Sequence, residues 1–527
     1  MDKLALTCSS AFLLVVLLFL RFVHGAKMIT SCSQTPYPEV CYHFINTNPL
    51  PSQLDEAGRL EFHELVHKVA INQAIEVHRL ISVMDLSPFN EQAKLAWTDC
   101  LELYEDTVIK LNRSMSSNNP TDSLTWISAS IANEQTCQNS VIDFSLSSHV
   151  QSFPNMLRNF SNLLSNTLAI KKAAALSSTS RPTSKQFGGR RLLSDDFPTW
   201  VSVADRRLLQ SSGAAPEADF VVSQDGSGDY STISEAVTAS ASRTKRFIIY
   251  VKAGVYKENV EINKPNIMIT GDGIDATIVT GNRNVQGGST TFRSATFAIS
   301  GDRFIARDIT FENTAGPQNN QAVALRAGGD FSIFFRCSFK SYQDTLYVFS
   351  QRQFYRDCDI YGTQDFIFGD AVAVLQNCNI YVRKPSSGQK NTVTAQARTD
   401  PNENTGIIVQ NSLVTAASDL RPVQASFETY LGRPWQKYSR TVFMKNNIDS
   451  LINPAGWLPW SGSFALSTLY YGEYMNTGSG ANTAGRVKWP GYHVITSSEE
   501  AARFTVGNFL AGDSWIPGNG VPFSGGL

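Results

Sequence analysis

The sequence predicts an all-α helical bundle followed by an all-β domain wound as a parallel β-helix. Three observations carry this prediction. In the first third of the chain, apolar residues recur at spacings of three and four, as on one face of a helix. Beyond Asp219 the composition turns rich in Gly, Asn and Thr, with many short apolar runs of strand length. Within that second part a local motif returns about every 20 residues, the period of a solenoid whose coils each contribute short strands.

The elements follow in chain order. Lys3 precedes an apolar run from Ala11 to Leu20, then come Arg21 and the small pair Gly25-Ala26. This is the layout of a secretory signal peptide over residues 1–26. The run is shorter than the roughly 20 residues a membrane-spanning helix needs. No later segment is long and apolar enough to span, so the expected mature chain is soluble, exported and without a stable membrane span. Of eight cysteines, Cys8 falls in the signal, so at least one of the other seven is unpaired; an exported chain is where disulfides persist. The 527 residues carry 45 Lys+Arg against 46 Asp+Glu and are 42% hydrophobic. That is enough apolar material for large cores, and it lacks the basic excess of a nucleic-acid binder.

Residues 27–176 read as the helical bundle. Trp97, Leu101, Tyr104, Val108 and Leu111 fall on one helical face. Cys32 and Cys41 flank Pro36 and Pro38, which suggests a short closed loop, and Cys100 and Cys137 are placed to join two helices. Asn112-Arg-Ser and Asn159-Phe-Ser are glycosylation sequons. Residues 177–218 form a linker rich in Ser, Arg, Gly and Pro. It contains Arg-Arg-Leu-Leu twice, at Arg190 and Arg206, and such dibasic pairs in a low-complexity linker are open to a processing protease.

From 219 to 527, the runs Phe247–Val251, Ile267–Thr270, Thr277–Thr280, Thr296–Ile299 and Ala322–Leu325 read as strands. The repeating motif is a polar residue, a small residue or Cys, a polar residue, then a large apolar one. It appears as Arg336-Cys337-Ser338-Phe339, Asp357-Cys358-Asp359-Ile360 and Asn377-Cys378-Asn379-Ile380, with Asn411-Ser412-Leu413 as a weaker echo. Coils of a parallel β-helix stack roughly 4.8 Å apart. Cys358 is then near both Cys337 and Cys378, and spacing alone leaves open which pair is bonded.

Two aspartates share the same interval. Asp344 stands in Tyr342-Gln343-Asp344-Thr345, and Asp365 in Gly362-Thr363-Gln364-Asp365-Phe366-Ile367-Phe368-Gly369. If the cysteines stack, so do these carboxyl groups. Two stacked carboxyls resist simultaneous ionisation, so one serves as an acid and the other as a base or nucleophile. A third cluster, Tyr430-Leu-Gly-Arg433-Pro-Trp435, offers a guanidinium to orient a carboxylate and an aromatic ring suited to stacking on a sugar.

These residues carry a family resemblance. Tyr342-Gln343-Asp344-Thr345-Leu346-Tyr347, Asp365-Phe-Ile-Phe-Gly369 and Leu431-Gly-Arg-Pro-Trp435 resemble plant pectin methylesterase. So do the stretch from Phe304 to Gly316 and Gln321-Ala-Val-Ala-Leu-Arg326. The likeness runs from about Asp219 to Leu527. The helical part, with Thr35-Pro-Tyr-Pro38, Cys41, Asp99-Cys-Leu-Glu-Leu-Tyr104 and Cys137, resembles pectin methylesterase inhibitors. The chain as a whole is thus similar to a two-part precursor. The resemblance implies a right-handed parallel β-helix that hydrolyses methyl esters of homogalacturonan in the plant cell wall, with no metal and no organic cofactor. It implies Asp365 as nucleophile and Asp344 as general acid, then base. Gln343 and Gln321 would stabilise the oxyanion, Arg433 would orient Asp365, and Thr291 and Trp435 would contact substrate. It selects Cys358–Cys378 as the disulfide. The partners it implies are pectin, the chain's own helical pro-region and separate inhibitor proteins. Family members usually have a small aliphatic residue where this chain has Gln364, and Trp where it has Ser289; these departures touch rate and methylation pattern rather than reaction type. The competing readings are a pectate lyase, a polygalacturonase, or a catalytically weak wall protein that only binds pectin.

Overall fold

A computed structural model describes residues 28–47, 61–87, 89–143, 153–179 and 218–527. The signal segment 1–26 and both Arg-Arg-Leu-Leu sites lie outside the described residues. Among those described, no helix is long and apolar enough to cross a membrane.

The first part is the expected bundle: α1 (Pro38–Thr47), α2 (Phe62–Ser82), α3 (Glu91–Ser116), α4 (Pro120–Asp143) and α5 (Phe153–Thr179). Helix α5 runs three residues past the expected end at 176. At the start of α3, the Asn90 side chain accepts a hydrogen bond from the Ala93 amide, satisfying a backbone donor that the first turn leaves free. Trp97, Tyr104 and Leu111 are buried and Leu101 and Val108 half-buried, so the periodic face points inward as its spacing required. Disulfides close the Cys32–Cys41 loop and tie α3 to α4 through Cys100–Cys137.

The second part is a right-handed parallel β-helix. Every strand pairing in it is parallel, as coils that advance in one direction require; representative registers are Leu346↔Ile367, Leu346↔Leu325 and Asp359↔Asn379. One face is a seven-stranded sheet running from Val260–Ile262 to Thr429–Gly432. Its inward residues Leu325, Leu346 and Ile367 stack in register and are fully buried. On the larger sheet Phe334 and Tyr355, in register on adjacent coils, stack in the same way, with ring centroids 4.7 Å apart. Strand 322–325 was expected three residues early, since the strand is Leu325–Ala327. Ala322 and Ala324 are apolar because they are buried in the bend leading into it.

The repeating motif marks a bend. Arg336, Asp357, Asn377 and Asn411 all adopt left-handed backbone, with φ between 51° and 57°. Asp308 and Lys445 extend the column at φ 55°. Asn and Asp tolerate this conformation better than other side chains, which explains the polar residue opening each repeat.

The Cys358–Cys378 disulfide is not formed. Cys337, Cys358 and Cys378 are three buried free thiols in one column. In-register parallel neighbours have nearly parallel Cα–Cβ bonds at the strand spacing of roughly 4.8 Å, whereas a disulfide draws the Cβ atoms to about 3.8 Å. Each thiol instead points at a backbone carbonyl, as Cys358 Sγ does at Arg356 O (3.3 Å). Burial pushes the Cys358 and Cys378 thiols well above their ordinary pKa.

Alternation along the seven-stranded sheet sends a second row outward: Ala298, Arg326, Tyr347, Phe368 and Ala395, in register from coil to coil. Tyr347, Phe368 and Ala395 pack in one continuous apolar cluster with the helical bundle. The bundle therefore sits on this face of the β-helix.

Candidate active site

Asp344 and Asp365 each lie two residues ahead of strand residues, Leu346 and Ile367, that pair in register. The two aspartates are therefore equivalent positions on adjacent coils. The Asp344 amide donates to Gln364 O (3.1 Å), fixing that stacking. Both aspartates have left-handed backbone, with φ 63° and 53°. This is an uncommon conformation for residues with a side chain, and it is held here by the flanking sheet.

The carboxylate of Asp365 is clamped from two sides. Arg433 Nε donates to its Oδ1 (2.8 Å) and Nη2 to its Oδ2 (2.5 Å), a fork that fixes the plane of the carboxylate. Arg433 arrives from the end of strand Thr429–Gly432, and its amide donates to Thr394 O (3.0 Å) on the neighbouring coil. Its guanidinium lies 4.3 Å from the ring centroid of Trp460. Asp344 has no such clamp. Burial first, and the negative charge of Asp365 second, raise its pKa well above the ordinary carboxylate range, and Arg433 offsets this only in part. The pair is therefore unequal: a carboxyl forked by a guanidinium stands beside a buried one whose charged form is disfavoured.

Gln321, Gln343 and Thr291 line the same cavity of about 330 Å³ as the two aspartates, Arg433 and Trp435. Phe368 and Tyr347, stacked with centroids 4.2 Å apart, form its floor, and Trp435 packs against Phe368. Gln364 also faces this cavity, whereas Ser289 does not line it and its amide donates to Asn284 O (3.1 Å). Asn112 and Asn159 are both exposed on the bundle, and neither lines the cavity. Groups of His, Cys, Asp and Glu arranged to hold a metal ion are absent among the described residues.

Sequence reasoning missed Thr392, on strand Asn391–Gln396. Its hydroxyl donates to Asp365 Oδ1 (2.6 Å) and accepts from the Asp365 amide (2.9 Å). Only the coil register, Ile367↔Thr394, could have pointed to it. Thr392→Val removes both, and the one to the charged carboxylate alone is worth about 1.5–3 kcal/mol. Initial-rate assays on ester substrate should show a loss of about tenfold or more, with the β-helix still folded.

The bundle supplies the remaining wall. Thr136, Asn139 and Ser140 of α4 line the cavity, and Thr136 Oγ1 lies 3.4 Å from the Tyr347 hydroxyl. Around it the two parts are joined by polar contacts. Asp99 pairs with Arg293 (2.5 Å), Asp122 with Arg352 (2.5 Å) and Arg113 with Asp302 (2.7 Å). Trp126 Nε1 donates to Asp330 Oδ2 (2.9 Å), and Ser165 donates to Asp400.

The profile of the Pectinesterase family matches residues 219–513, and that of the plant invertase/pectin methylesterase inhibitor family matches residues 27–170. "Probable pectinesterase/pectinesterase inhibitor 6" of Arabidopsis thaliana is 55% identical, over 95% of each chain. "Pectinesterase 2" of Citrus sinensis is 52% identical, over 94% of each. Among solved structures, pectin methylesterase from carrot is 60% identical with a TM-score of 0.59, covering 60% of this chain and all of its own. The Aspergillus niger pectin methylesterase is 30% identical with a TM-score of 0.51, over 58% of this chain and 98% of its own.

Proposed function

The chain belongs to the pectinesterase family, as a carboxylic ester hydrolase acting on the methyl esters of pectin behind an inhibitor-like helical part, and on that premise we propose how its residues divide the work. Asp365 is the nucleophile and Asp344 the acid, then base. The observation that carries this is the unequal setting of two stacked buried carboxyls, Asp365 forked by Arg433 and Asp344 left without such a clamp.

Asp365 attacks the ester carbonyl carbon, and the carbonyl oxygen becomes an oxyanion. The side-chain N–H groups of Gln321 and Gln343 donate to it, an effect of about 3–4 kcal/mol per donor in comparable sites. Asp344 gives its proton to the departing methoxide, which leaves as methanol, and an anhydride remains between Asp365 and the galacturonate. Asp344, now a carboxylate, takes a proton from water. The hydroxide so formed attacks the anhydride, and Asp365 is released with the free acid. Thr291 and Trp435 contact the polymer beside the scissile ester.

The acid step needs Asp344 protonated. The rate of methanol release should therefore fall as pH rises through the raised pKa of Asp344, on the alkaline side of the ordinary carboxylate range. A pH–rate profile falling only through ordinary carboxylate pH would contradict the assignment.

The mature enzyme is secreted to the cell wall, and the apolar run and sequons support this reading. Residues 27–176 form an inhibitory pro-region, 177–218 a linker cut at an Arg-Arg-Leu-Leu site, and 219–527 the enzyme. Separate inhibitor proteins would dock on the same face once the pro-region has left. The test of the reaction is methylated pectin treated with the 219–527 part. Methanol release with polymer length unchanged supports esterase action; shortening of the chains, or binding without methanol, rejects it.

A further inference from the structure

The cleft continues beyond the catalytic cavity. Phe292 lines both that cavity and a second one of about 670 Å³, bounded by Arg326, Glu261 and Asp302 on the β-helix and by Glu102 and Asp106 on α3. Arg326 belongs to the outward row of the sheet, next in register to Tyr347. It is 7% exposed, and its guanidinium lies over the Phe292 ring. Its Nε has no hydrogen-bond partner, and its ion pair with Glu261 spans 3.5 Å.

Beside it stands a carboxylate site that is already filled. Thr290 Oγ1 donates to Asp99 Oδ2 (2.6 Å), and Arg293 Nε meets Asp99 Oδ1 (2.5 Å). The Asp99 side chain is fully buried there. The Arg293 amide donates to Thr290 Oγ1 (3.1 Å), which locks the two residues into one turn. Arg293 Nη2 also donates to Glu102 Oε1 (2.6 Å). Both of these carboxylates belong to α3, so when the bundle leaves, Arg293 loses both at once. Arg326 is drawn toward the same Asp99 charge.

We propose that Thr290, Arg293 and Arg326 form a subsite for an unesterified galacturonate carboxylate, and that Asp99 occupies it in the full-length chain. The proposal rests on the esterase reading, because the subsite adjoins Thr291 on the path of the polymer. Arg293, stripped of both its bundle partners, favours a new carboxylate, and Arg326, whose ion pair is the long contact to Glu261, adds a second positive charge beside it. The reaction makes such carboxylates. An enzyme that holds one beside its catalytic pair prefers partly demethylated chains, so free acids accumulate in runs.

The carrot relative consists only of the matching β-helix part, so that part folds by itself and can be used for the test. Two homogalacturonans of equal length are compared, one fully methylated and one half-demethylated. Wild type should favour the second. In Arg326→Gln the ratio of kcat/KM on the second to that on the first should drop about tenfold, as for loss of one charge-assisted contact. Arg326→Lys should restore part of it. A ratio equal to wild type's overturns the subsite, and so does an equal loss on both substrates, which marks a structural role. Calorimetric binding of unesterified oligogalacturonate, weakened in the variant, reads the same subsite without turnover. It separates failure of the subsite from failure of the esterase reading. If Arg326→Gln does not fold, Arg293→Gln on the rim carries both comparisons.

Discussion

Asp365→Asn is expected to reduce methanol release from methylated pectin by about 10⁴-fold or more, as for removal of a nucleophile from a coupled catalytic unit. The amide keeps the shape of the carboxylate but cannot attack. Stability should fall modestly, because Arg433 loses the carboxylate it forks (2.8 and 2.5 Å) and stays half-buried beside Trp460. Asp344→Asn should separate activity from stability. The acid is lost, so the rate falls by about 10²–10⁴-fold. In the unfolded chain Asp344 ionises at its ordinary 3.8, while in the fold it stays protonated well above that. Stability therefore declines as pH rises above 3.8 toward the folded value, and the amide removes this decline. The variant's melting temperature at neutral pH should equal or exceed that of wild type. A variant that is both inactive and clearly less stable would mean that Asp344 supports the fold rather than the reaction.

The second large effect concerns the bundle. Thr136, Asn139 and Ser140 wall the catalytic cavity, and Asp99, Asp122, Arg113 and Trp126 fasten the bundle across the cleft. While the linker is intact the bundle is held at an effective concentration in the millimolar range, so weak contacts suffice to keep the cleft closed. Cutting the linker makes the contact bimolecular, and dilution then opens it. Full-length protein should be at least about tenfold less active than the same protein cut in the linker and diluted. Trp126→Ala in the uncut chain should recover part of that difference, because it removes the hydrogen bond to Asp330 and the stacking of Arg113, which lies 4.3 Å from its ring. Equal activity before and after cutting would reject inhibition by the bundle.

The sequence made the coils legible because equivalent residues repeat every 20 or 21 positions, and that period alone stacked Asp344 on Asp365. Arg433 read as a guanidinium that could orient a carboxylate, but that Asp365 is the one it forks came from resemblance, since no local pattern links residues 68 positions apart. The cysteine column shows the limit of resemblance: spacing left Cys337 and Cys378 both open as neighbours of Cys358, the resemblance chose Cys378, and all three are free thiols. Bonding depends on the direction of the Cβ vectors, which a parallel ladder holds side by side. Thr392 and Trp460 were not legible because their roles arise only when one coil lies against the next. Asp99 carried no signal of its cleft contact either. Along α3 it reads as one polar residue in an amphipathic helix, and its burial against Thr290 and Arg293 comes from docking.

The division of the aspartates is tested most directly by infrared difference spectra of the 219–527 part at neutral pH. Wild type minus Asp344→Asn should contain the C=O band of a protonated carboxyl group, and wild type minus Asp365→Asn should contain carboxylate bands instead. A carboxylate signal from Asp344, or a protonated-acid signal from Asp365, would contradict the account.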